Sequence, residues 1–259
     1  QYFVPLEGAT AQYRGTTKIE HADSWALSRF VFVARQDCSV ELKIADGEWK
    51  VFPVAGSHEI QSLVVEGQTP RFQVRVGNTP GFAAIGVWLD DVQGIAVDNI
   101  STRGYSGLSL GALSRERAVQ MDSIVPYDAI VLNVMTPEIL HYGSYARKMT
   151  EVVRHLRECY PHTDIILMGV GDRSRKANGA FVTMPAVVAL SEAQRRAARS
   201  AGVVFWDTYE AMGGHNGMLD YVANGQANKD YTHINHKGGK RLATEFVKSL
   251  EYEMNREGL

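Results

Sequence analysis

Cysteine is nearly absent: the 259 residues include two, Cys38 and Cys159. They fall in segments of different character, so no disulfide is expected between them, and two thiols are too few for a thiolate metal site. Neither sign of charge is in excess. There are 27 Lys and Arg against 29 Asp and Glu, a net charge of −2 and a sequence pI near 6.5. That balance removes any electrostatic case for nucleic acid or an acidic surface as partner. No apolar run approaches the length of a membrane span. Internal repeats and low-complexity tracts are also lacking. The chain begins at Gln1, without Met and without a signal-peptide pattern. A processed chain or a fragment is therefore expected, and the missing leader pattern says nothing about export. What is present in quantity is apolar side chain, 45% of the residues, enough for an ordinary core in one or two domains.

Residues 1–94 read as β. Phe30-Val31-Phe32-Val33 is a short apolar run. Val40, Leu42 and Ile44 alternate with Ser39, Glu41 and Lys43, and Phe72, Val74 and Val76 alternate with Arg71, Gln73 and Arg75. Period-two alternation marks strands with one buried face. Asp46-Gly47, Ala55-Gly56, Glu66-Gly67 and Gly77-Asn78-Thr79-Pro80 read as turns between them. The pattern predicts an all-β sandwich or jelly roll. Trp25, Trp49 and Trp88 could form a sugar platform there, although aromatic residues in a sandwich are more often core.

Residues 95–259 read as α/β. Strands are expected at 95–100, 129–132, 165–170 and 203–206, and helices at 142–160, 185–201 and 239–254. Tyr145, Met149, Val152, Val153 and Leu156 mark one face of the first helix. Alternating strands and helices predict a parallel sheet covered on both faces. In such sheets function collects at the carboxyl ends of the strands, which singles out Arg103 to Ser109, Asn133, Asp172-Arg173, Asp207, and Asp230-Tyr231-Thr232-His233. Asp-x-x-His ahead of a helix can return the carboxylate onto the imidazole. The carboxylate then fixes the tautomer, and the other ring nitrogen is left to take a proton from a hydroxyl. By spacing alone a polar helix entry with an incidental histidine is the plainer expectation.

The stretch from Ala227 to Asn235, running into Gly238-Gly239, resembles the last conserved block of the SGNH/GDSL hydrolases. Phe205-Trp206-Asp207 through Ala211-Met212-Gly213-Gly214 resembles the carbohydrate and peptidoglycan O-acetylesterase branch of that superfamily. The resemblance implies a flavodoxin-like three-layer domain, with a β-sandwich inserted after the nucleophile in several members. It implies His233 as general base and Asp230 as its carboxylate. Ser106-Gly107-Leu108-Ser109 matches the second block, which carries a backbone oxyanion donor onto Gly107. The third block carries a side-chain donor onto Asn133. No metal or organic cofactor is implied. The partner implied is an acylated carbohydrate or glycan, and the location extracytoplasmic.

Two departures accompany it. Gly-Asp-Ser, which supplies the nucleophile, does not occur, and the nearest match, Gly171-Asp172-Arg173-Ser174, follows a later strand. The nucleophile is thus unidentified, and the hydrolase domain is expected to lack its first strand, with residues 1–4 the sole apolar segment left to replace it. The run ending at Asn133 is also short, with Val131 where the family has glycine. Other readings stay open: a non-catalytic carbohydrate-binding protein with a vestigial hydrolase domain, or an O-acyltransferase with the same triad. Asp172 and Arg173 could begin a substrate-facing loop, although a solvated loop is the plainer expectation. Asp207 is expected as a helix cap, Ser106 and Ser109 are not expected as nucleophiles, and His215 and His236 are expected to be exposed.

Overall fold

The structure, a computed structural model, describes residues 2–6, 9–101, 106–134 and 141–258. The chain divides into two compact units, Gln1–Ser101 and Thr102–Leu259.

The first unit consists of seven strands: β1 (Thr10–Arg14), β2 (Trp25–Ala34), β3 (Cys38–Ile44), β4 (Lys50–Val54), β5 (Gln61–Thr69), β6 (Arg71–Val76) and β7 (Phe82–Asp90). They form two antiparallel sheets, β1-β6-β3-β4 and β5-β2-β7. Alternation explains the packing: Val40, Leu42, Phe72, Val74 and Val76 point inward from one sheet, Phe30 and Phe32 from the other, and all join one core. The Phe32 and Phe82 rings stack with centroids 5.1 Å apart. Trp25 lies in this core, whereas Trp49 lies beneath the Arg75 guanidinium, 4.4 Å from its ring centroid. Glu66-Gly67 is not a turn. Both residues lie inside β5, where the register slips opposite Trp25 and Leu27, and Gly67 takes a φ of 132° that favours glycine at the bulge.

In the second unit, α1 (Arg115–Ile124) precedes β8 (Ala129–Asn133), α2 (Tyr142–Cys159), β9 (Asp164–Met168), β10 (Ser174–Ala177), β11 (Ala180–Thr183), α3 (Pro185–Ala201), β12 (Val204–Trp206), α4 (Thr208–Ala211), α5 (Gly217–Ala223) and α6 (His236–Glu257). The sheet is parallel, in the order β12-β9-β8. Leu132, Ile165 and Leu167 face α2 and α3, whose Met149, Val153, Leu190 and Ala197 complete the core. Trp206 meets α6 instead: its ring lies edge-on to Phe246, and its Nε1 donates to Ser249 Oγ at 3.2 Å. Helices thus pack on both faces. α3 has Pro185 in its first turn and Gly202, at φ 69°, just past its end.

Residues 95–100 were expected as a strand and form none. Ile95, Val97 and Ile100 are almost fully exposed. Apolar residues alone do not make a strand, and among the described residues no partner edge covers these. Phe3, from the segment considered as a substitute strand, pairs instead with Ala84 through two backbone hydrogen bonds of 2.8 Å in the first unit. Among the described residues β8 is therefore an edge strand, with Val131 42% exposed.

Candidate active site

Asp230 and His233 occupy a tightly closed loop. Asn228 N–H donates to His233 C=O at 2.8 Å, and Tyr231 N–H donates to Asn228 C=O at 3.1 Å. Asn235 N–H donates to Gln226 C=O at 3.0 Å, and the Asn235 side chain caps α6 by accepting from Lys237 N and Gly238 N. A side chain at Gly238 would place its Cβ 2.1 Å from Gln226 O, so the helix start can approach the loop only with glycine there. Tyr231, between the two polar residues, adopts φ 56°, a left-handed conformation uncommon outside glycine.

Each oxygen of Asp230 has its own task. Oδ1 accepts from Thr232 N at 2.9 Å and His233 N at 3.0 Å, while Oδ2 lies 2.9 Å from His233 Nδ1. The bond to the ring, then those from the two backbone amides, hold the Asp230 carboxyl down at about 2. With the proton on Nδ1, Nε2 is left as an acceptor, and the histidine side chain is 69% exposed.

The neighbouring strand ends are fastened to one another. Gln194 of α3, fully buried, accepts from Val170 N at 2.8 Å and donates to Val134 O at 3.0 Å, joining the chain just beyond β9 to that just beyond β8. Gly107 lies against the same Val134: a Cβ on it would meet Val134 Cγ2 at 2.7 Å, and its φ is 78°. Gly107 therefore lies against the residue that follows Asn133, which ends β8 exposed. Arg103, Gly104 and Tyr105 lie outside the described residues. Beyond β9, Ser174 N–H donates to Tyr231 C=O at 3.0 Å, and Phe181 of β11 stacks on the Tyr231 ring with centroids 3.7 Å apart and planes 12° apart. The Asp230–His233 loop is thereby tied to the chain leaving β9.

The segment after Asp172 is a hairpin, β10 with β11, rather than a solvated loop. Asp172 itself is buried, 1% exposed, and accepts from Met218 N at 2.8 Å at the start of α5; burial pushes its carboxyl up. The amide that meets it comes from α5, a helix of seven residues that the sequence pattern did not reveal. Asp207 caps α4 by accepting from Glu210 N at 3.3 Å and pairs with Arg195. His215 and His236 are exposed, and both cysteines are free. Among the described residues no three His, Cys, Asp or Glu side chains group as metal ligands, and no helix is long and apolar enough to cross a membrane. Gln194 had no sequence signal at all, since a glutamine in a helix normally reads as surface.

No protein-family model and no curated protein matches the chain. Among solved structures, a peptidoglycan O-acetylesterase aligns with 90% of this chain and 65% of its own, at 19% identity and a TM-score of 0.67. A family two carbohydrate esterase from Cellvibrio japonicus aligns over 98% of this chain and 93% of its own, at 12% identity and a TM-score of 0.41. A salicylyl-acyltransferase from a tetracycline biosynthetic pathway aligns over 92% and 81%, at 18% identity and a TM-score of 0.37. The last two scores are too low to carry an argument. The first shows a shared fold: this mixed α/β chain is built like that peptidoglycan O-acetylesterase. It spans just under two thirds of that esterase's length, 65%.

Proposed function

We propose that this protein is a serine esterase that removes acyl groups, O-acetyl foremost, from carbohydrate or cell-wall glycan outside the cytoplasm. The observation that carries the reading is the 2.9 Å contact between Asp230 Oδ2 and His233 Nδ1, held in a fold shared with a peptidoglycan O-acetylesterase. The substrate class comes from that fold likeness and from the sequence resemblance.

In this reading Nε2 of His233 takes the proton of a serine hydroxyl as its oxygen attacks the ester carbonyl. Asp230 holds the imidazolium that results. The oxyanion receives hydrogen bonds from the Gly107 backbone and the Asn133 amide, and as it collapses the C–O bond to the sugar breaks and the leaving sugar oxygen takes the proton from the imidazolium to become a hydroxyl. Water then frees the acyl group by the same steps. The serine is not identified among residues 1–259. The reading seats it at the end of a strand beside the outer edge of β8. The β unit is read as a sandwich module that presents glycan.

The test is catalytic. Purified residues 1–259 should give no serine-reagent-sensitive burst from p-nitrophenyl acetate. The same chain joined to its upstream coding sequence should deacetylate glycan if that sequence holds an apolar strand ending in Gly-Asp-Ser. An active longer chain whose His233→Ala variant keeps a near-normal rate would overturn the proposal.

A further inference from the structure

The β10–β11 hairpin is anchored to the Asp230–His233 loop at two points, the Ser174 to Tyr231 backbone bond and the Phe181–Tyr231 ring stack. Tyr231 is two residues from His233, so the hairpin, on its Phe181 face, stands against the loop that carries the base. It displays cations. Residues 173–183 contain Arg173, Arg175 and Lys176 and no acidic side chain. Arg175 pairs across the hairpin with Val182 and Lys176 with Phe181, so the two charges leave on opposite faces, both exposed, with Lys176 on the Phe181 face that meets Tyr231. Neither has an ion-pair or hydrogen-bond partner among the described residues.

The loop adds to the same sign. Lys229 and Lys237 flank Asp230 and His233, and neither has an acidic partner among the described residues. Asp230, the acidic residue of this stretch, is already engaged by the histidine and by two backbone amides. The cluster is not a by-product of composition, because the whole chain carries a net charge of −2. Uncompensated like charges around one rim repel one another and raise the local concentration of anions.

We propose that the substrate of this site is an anionic glycan, bearing carboxylate or phosphate groups near the ester, and that Lys176 selects it. The inference rests on the esterase reading and adds the charge of the substrate to it. Electrostatic complementarity acts mainly on encounter and partner choice, so Lys176 determines specificity and takes no part in bond making.

Binding tests this without a nucleophile. The 259-residue protein is titrated with three O-acetylated oligosaccharides of equal length: a uronate, a phosphodiester-linked glycan and a neutral xylan. One or both anionic probes should bind at least about tenfold more tightly than the xylan at low salt, and the preference should shrink as salt rises. The arm that binds identifies carboxylate or phosphate. Lys176→Glu should erase the preference while the melting temperature is kept. Should that variant unfold, Lys176→Ala replaces it and should lower the preference. Lys50→Glu, in the other unit, should leave the preference unchanged. Equal affinity for all three probes, or a preference surviving both Lys176 variants, overturns the inference. Deacetylation of neutral glycan alone by an active longer chain would sink charge selection and leave the esterase reading standing. Charge preference in a longer chain that has the serine yet hydrolyses nothing would do the reverse.

Discussion

Asp230 grips His233 twice, by the ring nitrogen through Oδ2 and by the backbone amide through Oδ1, at 2.9 and 3.0 Å. One carboxylate thus sets both the tautomer of the imidazole and the turn on which it stands.

The grip has a pH signature. The folded Asp230 carboxyl is lowered to about 2, below the ordinary value of about 3.9 for an unfolded chain. Its contribution to stability is therefore fully present above the unfolded value and is lost as pH falls from there through about 2. A carboxyl-detected NMR titration should give a midpoint near 2 for Asp230. In His233→Ala the midpoint should rise, because the ring bond is the largest cause of the shift. A parent midpoint at the ordinary value would refute the geometry.

In a longer chain that supplies the serine, His233→Ala should lower kcat by roughly 10³-fold or more, and Asp230→Asn should lower it too, to a smaller extent. KM should move little, because neither residue is assigned to binding sugar. Steady-state rates on an acetylated glycan decide the matter.

Gln194→Ala should destabilise the second unit by about 2–4 kcal/mol. It strips the Val170 amide and the Val134 carbonyl of their partner and leaves a void. Denaturant melts followed by circular dichroism measure this. Val170 should also lose amide-exchange protection.

Asp172 separates two effects. Asp172→Ala removes the acceptor for Met218 N and should cost about 1–3 kcal/mol. Asp172→Asn keeps an acceptor and removes a buried charge. The folded carboxyl is raised, so the stabilising balance holds below the unfolded value and is lost as pH climbs through the folded one. Asp172→Asn should therefore match or exceed the parent at neutral pH and flatten the pH dependence of its melting temperature.

Period-two alternation at Val40 to Ile44 and Phe72 to Val76 made β3 and β6 legible. The apolar face of residues 142–160 and the Pro185 and Gly202 punctuation did the same for α2 and α3. Asp230 and His233 were legible as a possible pair because their bond spans three residues, and the resemblance of the block around them singled them out as base and carboxylate. The same local logic failed at 95–100 and at Glu66-Gly67. In both places the outcome depends on a neighbouring strand, absent among the described residues in one case and slipped in register in the other.

Local pattern by itself therefore determined most of the strands and the long helices, and put Asp230 within reach of His233, since those choices rest on contacts between residues close in the chain. Only the tertiary structure decided that Gln194 clamps two strand ends across 60 residues of chain. It also decided that Asp172 is buried under α5, and that a cationic hairpin is pinned to the His233 loop by a ring stack. Each of these joins residues far apart in sequence, and burial, hydrogen-bond partner and local field are set by what the fold brings alongside.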